Sequence, residues 1–194
     1  FDNIYNNSIS YEEDVENKKE DKSKELVYTQ NEIKEIKQNS YDIDIHVPFI
    51  NIDNEVIDEY NSEIEDFNKK AEDVLKSENK NIIYTVNYTA NVQNGILSLI
   101  LHSNLKEGSN PQREIIQTYN YDLRNNKKIT LEEMLKIVDI DIQVAQDTIK
   151  SKITEEQNRV NELNNLGYTI YRRDVNNEIY NIENIDDFYV TKDS

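Results

Sequence analysis

In Asp42-Ile43-Asp44-Ile45-His46 polar and apolar residues alternate, so an extended backbone puts two carboxylates and an imidazole on one side. Oxygen and nitrogen donors placed in this way could hold a divalent cation. The same alternation is what the solvent side of an amphipathic strand needs, and with 39 acidic residues such neighbours arise without a ligand. The other histidine, His102, shares a side with Ser98 and Ile100 and reads as a surface or half-buried imidazole. Nucleophilic chemistry has less to work with. There is no Cys, which excludes a thiolate nucleophile, a thiolate zinc site and a disulfide framework. There is no Gly-x-Ser-x-Gly elbow or Walker-type loop, and 3 Gly are too few for several phosphate-cradling turns. Carboxylate pairs of the glycoside-hydrolase kind cannot be picked out, because their separation is set by the fold and acids are abundant everywhere. The residues therefore point to a chain with no catalytic residues, no metal and no cofactor.

The elements that would position these groups are legible from periodicity. Tyr41, Ile43, Ile45, Val47 and Phe49 alternate as a half-buried strand, and Pro48, which cannot donate to a ladder, makes it an edge or ends it. Val56, Tyr60, Ile64, Phe67, Ala71 and Val74 fall on one helical stripe, with Asp53 or Asn51 available to cap it. Period two returns in Tyr84, Val86, Tyr88, Ala90 and Val92. Asn94-Gly95 then supplies a two-residue hairpin turn, and Ile96–Leu105 is the returning strand. After a loop at Gly108, Asn110 and Pro111, a third strand alternates through Ile115, Gln117, Tyr119, Tyr121 and Leu123. Thr130-Leu-Glu-Glu133 is a capping box opening a short helix through Met134 and Leu135. A longer helix follows from Ile142 to Leu163, with Gly167 placed to close it. Tyr168–Tyr171 and Phe188–Val190 are short strand candidates. The chain contains 13 Tyr against 4 Phe; those on the third strand read chiefly as core, while Tyr168, Tyr171 and Tyr180 are as well suited to an interface.

Over the whole chain of 194 residues, 22 basic and 39 acidic residues leave a net charge of −17. Such a chain is a poor partner for nucleic acid, since it cannot replace the counterions of a phosphate backbone. The charge is uneven: residues 1–40 net −4, 41–80 net −8, 81–130 net +2 and 131–194 net −7. The strand-rich stretch is nearly neutral, and the acids belong to the outer faces of helices laid on a sheet. Tyr11–Lys24 has one aliphatic residue in fourteen and reads as a linker. No apolar run is long enough to span a bilayer, and since the chain begins at Phe1, an upstream signal or anchor is expected to have preceded it. These patterns predict an α+β fold: an antiparallel sheet, hairpin plus meander, packed by two or three amphipathic helices. It would occupy residues 41–194, after a weakly structured acidic stalk over residues 1–40. The chain stops at Ser194 just as a strand starts, so the last strands are expected to be missing from it.

Several segments together resemble one family. They are Ile43-Asp-Ile-His-Val-Pro48, the helix Asn54 to Phe67, the Tyr-rich hairpin ending Asn94-Gly-Ile-Leu-Ser-Leu99, and Thr118-Tyr-Asn-Tyr-Asp-Leu123. Lys128-Ile-Thr-Leu-Glu-Glu-Met-Leu135 and Asp187-Phe-Tyr-Val-Thr-Lys-Asp193 complete the set. The chain is similar, over residues 40–194, to the extracellular domain shared by anti-sigma-V factors and the non-catalytic region of certain peptidoglycan deacetylases. It departs from them where many relatives carry Gly-Ala-His, since the same place reads Gly108-Ser-Asn-Pro-Gln112, so no role of that histidine transfers. The deacetylase catalytic region is also absent.

The resemblance implies a sensor on the extracellular face of the cell membrane, anchored by an upstream transmembrane helix outside this chain. Such a domain binds lysozyme, and binding exposes the protein to signal peptidase and intramembrane proteolysis, which frees a sigma factor held by a cytoplasmic region. The alternative it implies is a cell-wall module beside a deacetylase domain. An acidic surface suits a strongly basic ligand such as lysozyme. The expected contact is the loop Lys106, Glu107, Gly108, Ser109, Asn110, Pro111 and Gln112, which joins two strands and departs from the relatives' pattern.

Overall fold

The computed structural model describes residues 25–77 and 81–191. The linker expected at Tyr11–Lys24 and the strands expected beyond Asp193 lie outside the described residues. The chain divides into two compact units, one running to Lys128 and including the segment from Tyr189, the other Ile129–Phe188.

The first unit is a six-stranded sheet in the order β1-β2-β3-β4-β5-β6. Its strands are β1 Val27–Lys37, β2 Tyr41–Ile50, β3 Ile82–Gln93, β4 Ile96–Glu107, β5 Arg113–Asp122 and the two-residue β6 Lys127–Lys128. All neighbours are antiparallel except β2 and β3, which run parallel and are linked by helix α1, Glu55–Lys76. A parallel pair needs such a crossover, because no tight turn can bring a chain back in the same direction. The α+β class holds, with this one parallel joint in an otherwise antiparallel sheet.

Alternation sets the faces. Tyr41, Ile43, Ile45 and Val47 of β2, Tyr84 and Val86 of β3, Leu97, Leu99, Leu101 and Leu105 of β4, and Tyr119 and Tyr121 of β5 are buried together with the α1 stripe, which starts at Ile57 rather than the partly buried Val56 and continues through Tyr60, Ile64, Phe67, Ala71 and Val74. The opposite side is mixed, with exposed Asn87, Thr89 and His102 beside the exposed Ile83 and Ile116. Asn54, rather than Asp53 or Asn51, caps α1, accepting from the Val56 amide at 3.0 Å. Asn61 fastens the helix to the sheet by a reciprocal pair, accepting from the Ile50 amide and donating to the Ile50 carbonyl, each at 2.9 Å. Asn94 and Gly95 both adopt positive φ, 52° and 76°, as a type I′ turn requires. A Cβ on Gly95 would stand 2.6 Å from Nε of Arg124, a flexible side chain that can move aside, so it is the positive φ that calls for glycine here.

Three expectations are corrected. Residues 1–40 were expected to be weakly structured, yet β1 pairs with β2 from Val27↔Ile50 to Lys37↔Tyr41. Only Val27 in it is buried, so the strand has no apolar alternation to read. Secondly, Pro48 neither ends β2 nor makes it an edge. The parallel ladder with β3 stops at Ile45↔Val86, so the missing N–H has no ladder to interrupt on that side. On the other side Pro48 opposes Thr29, where the register shifts between Thr29 and Asn31. Thirdly, Tyr168–Tyr171 and Phe188–Val190 are not strands. Val190 is instead strapped to the sheet by side chains: its amide donates to Ser98 Oγ at 3.1 Å and its carbonyl accepts from Asn91 at 3.4 Å.

The second unit holds α2 Leu131–Ile137 and α3 Ile142–Asn165, followed by two single 3-10 turns, Glu178–Tyr180 and Ile182–Asn184. Both arms of the Thr130–Glu133 capping box form, and Tyr168 N–H reaches back to Leu163 C=O where Gly167, at φ 95°, closes α3. Amide side chains of α3 hold the returning chain: Gln146 bridges Tyr180 C=O and Ile182 N–H, and Asn164 bridges both backbone groups of Ile170.

Candidate functional site

The expected contact loop lies at one end of the sheet in the first unit. Strand β4 runs through Lys106 and Glu107, so the turn itself is Gly108–Gln112, all of it exposed. It is built beside two others. The Gly108 amide donates to Asn81 C=O at 3.1 Å, and the Ile82 amide to Ser40 C=O at 2.9 Å, which aligns the β1–β2 turn, the start of β3 and the β4–β5 turn. Positive φ at Asn39, Asn81 and Gly108 makes the three reversals possible.

Because Lys106 and Glu107 are successive strand residues, they point to opposite sides. Lys106 donates to Asn110 C=O and lines a hollow of about 350 Å³ with Ile36, Asp42, Asn81, Ile83 and Gly108. Ile36 and Ile83 are 72% and 48% exposed, which makes this an apolar floor open to solvent. Glu107 turns toward α1, where Lys70 Nζ meets one carboxylate oxygen at 3.1 Å and Arg113 Nη2 the other at 2.6 Å. The bond from Lys70 holds the Glu107 carboxyl below the usual carboxylate range; burial opposes this, and the charges of both bases add to it. Gln112 donates to Asn104 at 2.9 Å, tying the far end of the turn to β4.

On the α1 side, a second groove of about 450 Å³ runs between the helix and β5. Glu63, Asp66 and Lys70 form the helix wall, Ile115 and Gln117 the strand wall, and Tyr84 lies at the base. The Tyr84 hydroxyl donates to Phe67 C=O at 3.3 Å, and burial pushes the phenol up to about 12, against a bond with Ser103 that lowers it. Lys70 lies 37 positions from Glu107, a separation at which nothing in the sequence links the two. No local pattern signals a contact made through a crossover.

The Asp42, Asp44 and His46 array does not converge on a cation site. Asp44 is drawn to Lys34 at 3.0 Å and to His46 Nε2 at 3.3 Å, and Asp42 lies in the separate hollow. Among the described residues no three His, Asp or Glu side chains are grouped to hold a metal. His102 is exposed, and Tyr119 and Tyr121 are in the core, while Tyr168 and Tyr171 are 63% and 85% exposed. Among the described residues no helix is long and apolar enough to cross a membrane.

No family model matches the chain. No curated protein matches it. Among solved structures it is similar to a DUF3298 family protein from Pseudomonas aeruginosa, with 13% identity over 55% of this chain and 53% of that one and a TM-score of 0.39. It is also similar to a DUF3298 family member from Bacteroides fragilis, with 11% identity over 47% and 51% of the two chains and a TM-score of 0.28. The chain spans about half the length of these solved relatives.

Proposed function

We propose that this chain is the ligand-sensing extracellular part of an anti-sigma factor, a non-catalytic surface that docks a strongly basic protein of the lysozyme class. The observation that carries this reading is the outer face of α1. The helix has eight acids against three bases, and Glu55, Asp58, Glu59, Glu63 and Asp73 meet no lysine or arginine in an ion pair among the described residues. Unneutralised like charges on one helix raise its folding cost, so a cationic partner that covers them gains both attraction and relief of repulsion. Glu107 links the loop 106–112 to the same helix through Lys70, so loop and acidic face are available to one ligand. In this reading the membrane anchor and the sigma factor contact belong to other parts of the full protein. The family resemblance of the sequence supports the assignment.

Calorimetric titration with a basic animal-type lysozyme at low and at moderate salt tests it. A saturable complex is expected at low salt, weakening as salt rises, and weakening again in an Asp58→Lys, Glu59→Lys double variant. Absence of a saturable complex at either salt overturns the reading.

A further inference from the structure

A sheet has two edges, and this one treats them differently. The β1 edge carries Lys34 and Lys37, acidic Glu32 and Glu35, and a register shift between Thr29 and Asn31. Charges and irregular register are the devices by which proteins keep an outer strand from pairing with another chain. The β5 edge has less of this: charge only at its start, in Arg113 and Glu114, and no register shift against β4. Over Arg113–Gln117 its outer side meets no further strand among the described residues, because β6 pairs only with Tyr121 and Asp122. Its centre is Ile115-Ile116, 46% and 49% exposed on alternate faces. Beside it lies the groove walled by α1, ready to take the side chains that an added strand would turn inward.

We infer that the β5 edge with the α1 groove is a strand-addition site for an extended, basic segment of a partner polypeptide. Its alternate residues would be apolar, packing on Ile116, and a lysine or arginine on the groove side would face Glu63. Charge selects this occupant. Both bases lining the groove, Lys70 and Arg113, are held by Glu107, and Asp66 is bridged by Lys69 at 2.7 Å. Glu63 has no ion-pair partner among the described residues and stands on the wall that an added strand would face. A second copy of this chain is a poor occupant, since two bodies of net charge −17 repel. The inference does not depend on the lysozyme reading, because any chain of this pattern fits.

The test uses the full 194-residue chain, isotope-labelled, with a blocked nine-residue peptide of alternating Lys and Val as probe. The expected result is saturable binding with amide shifts and exchange protection centred on Arg113–Gln117. Glu63→Lys should weaken it about tenfold while leaving the spectrum otherwise folded. Ile115→Lys, which adds edge protection at an exposed position, should weaken it independently. A peptide of the same composition with all Lys before all Val should bind more weakly and shift no β5 amides. Equal binding of the block peptide, protection at β1 instead of β5, indifference to both substitutions, or self-association of the protein through β5 would each overturn the proposal.

Discussion

Tyr60 of α1 and Tyr121 of β5 share the core of the first unit, yet their hydroxyls meet different surroundings. Tyr60 donates to Asn120 C=O at 3.1 Å, whereas the Tyr121 hydroxyl is buried with no hydrogen-bond partner among the described residues. An unpaired buried hydroxyl costs its desolvation without return, so Tyr121→Phe should leave the urea midpoint unchanged or raise it. Tyr60→Phe should lower stability by about 1 kcal/mol. The phenols also set an alkaline limit. Burial pushes Tyr60 up to about 12, with Glu59 and Glu63 adding to it, and burial pushes Tyr84 up to about 12 as well. In the unfolded chain both ionise near 10, so folding is fully favoured below that pH and the advantage is lost as pH rises toward 12. Urea titrations across this range should show declining stability, with a smaller decline in the Tyr60→Phe, Tyr84→Phe double variant. Asp122 works in the opposite direction. Burial alone would raise its carboxyl, but bonds from the Asn125 side chain and from the Asn125 and Arg124 amides, with the charge of Lys127, hold it below the usual carboxylate value. Its contribution is present above the ordinary carboxylate range and lost as acid protonates the folded form.

Helix α1 is held by its apolar stripe and by several side-chain bonds to the sheet, the Asn61 pair among them. Removing the Asn61 side chain leaves both backbone groups of Ile50 without their partner, and Asn61→Ala should cost about 1–3 kcal/mol in chemical denaturation. Ile64→Ala, at a fully buried stripe position, should cost about 2–5 kcal/mol through lost burial and the cavity it leaves. The stripe was readable because one face of α1 is buried along its whole length, and β3 because it buries alternate residues; β4 and β5 were found from the Asn94-Gly95 turn and their core-facing alternation, although Ile96–Leu99 and Tyr119–Asp122 are buried on both sides. Strand β1 was not readable. Its burial comes from partners across a ladder, and Val27-Tyr-Thr-Gln-Asn-Glu-Ile-Lys has no alternation of its own. Pro48 misled for a related reason: its effect depends on how far the β3 ladder extends, which is a property of the pair and not of the strand. At the site, the loop was found from Gly108, Asn110 and Pro111, but its clasp to α1 through Glu107 and Lys70 and the α1–β5 groove depend on a crossover that leaves no local trace.

For the molecule as a whole, the near-neutral strands and acid-rich helices divide two tasks. The net +2 of residues 81–130 lets β3, β4 and β5 pair without mutual repulsion, while α1 presents the negative charge outward. Raising ionic strength should stabilise the free protein slightly, by screening like charges on α1, while weakening any complex with a cationic ligand. Thermal melts of the free chain and of its mixture with lysozyme, run over one salt series, should therefore move in opposite directions. A further consequence follows from the parallel joint. The β2–β3 ladder runs only from Tyr41↔Ile82 to Ile45↔Val86, while the antiparallel ladder of β3 with β4 extends along the full length of both strands. The sheet is thus two ribbons basted together by a short stitch and a helix, and deuterium labelling should resolve two kinetic classes within it. Amides of β1 and β2 would exchange as one group, and those bonding β3 to β4 as a slower one.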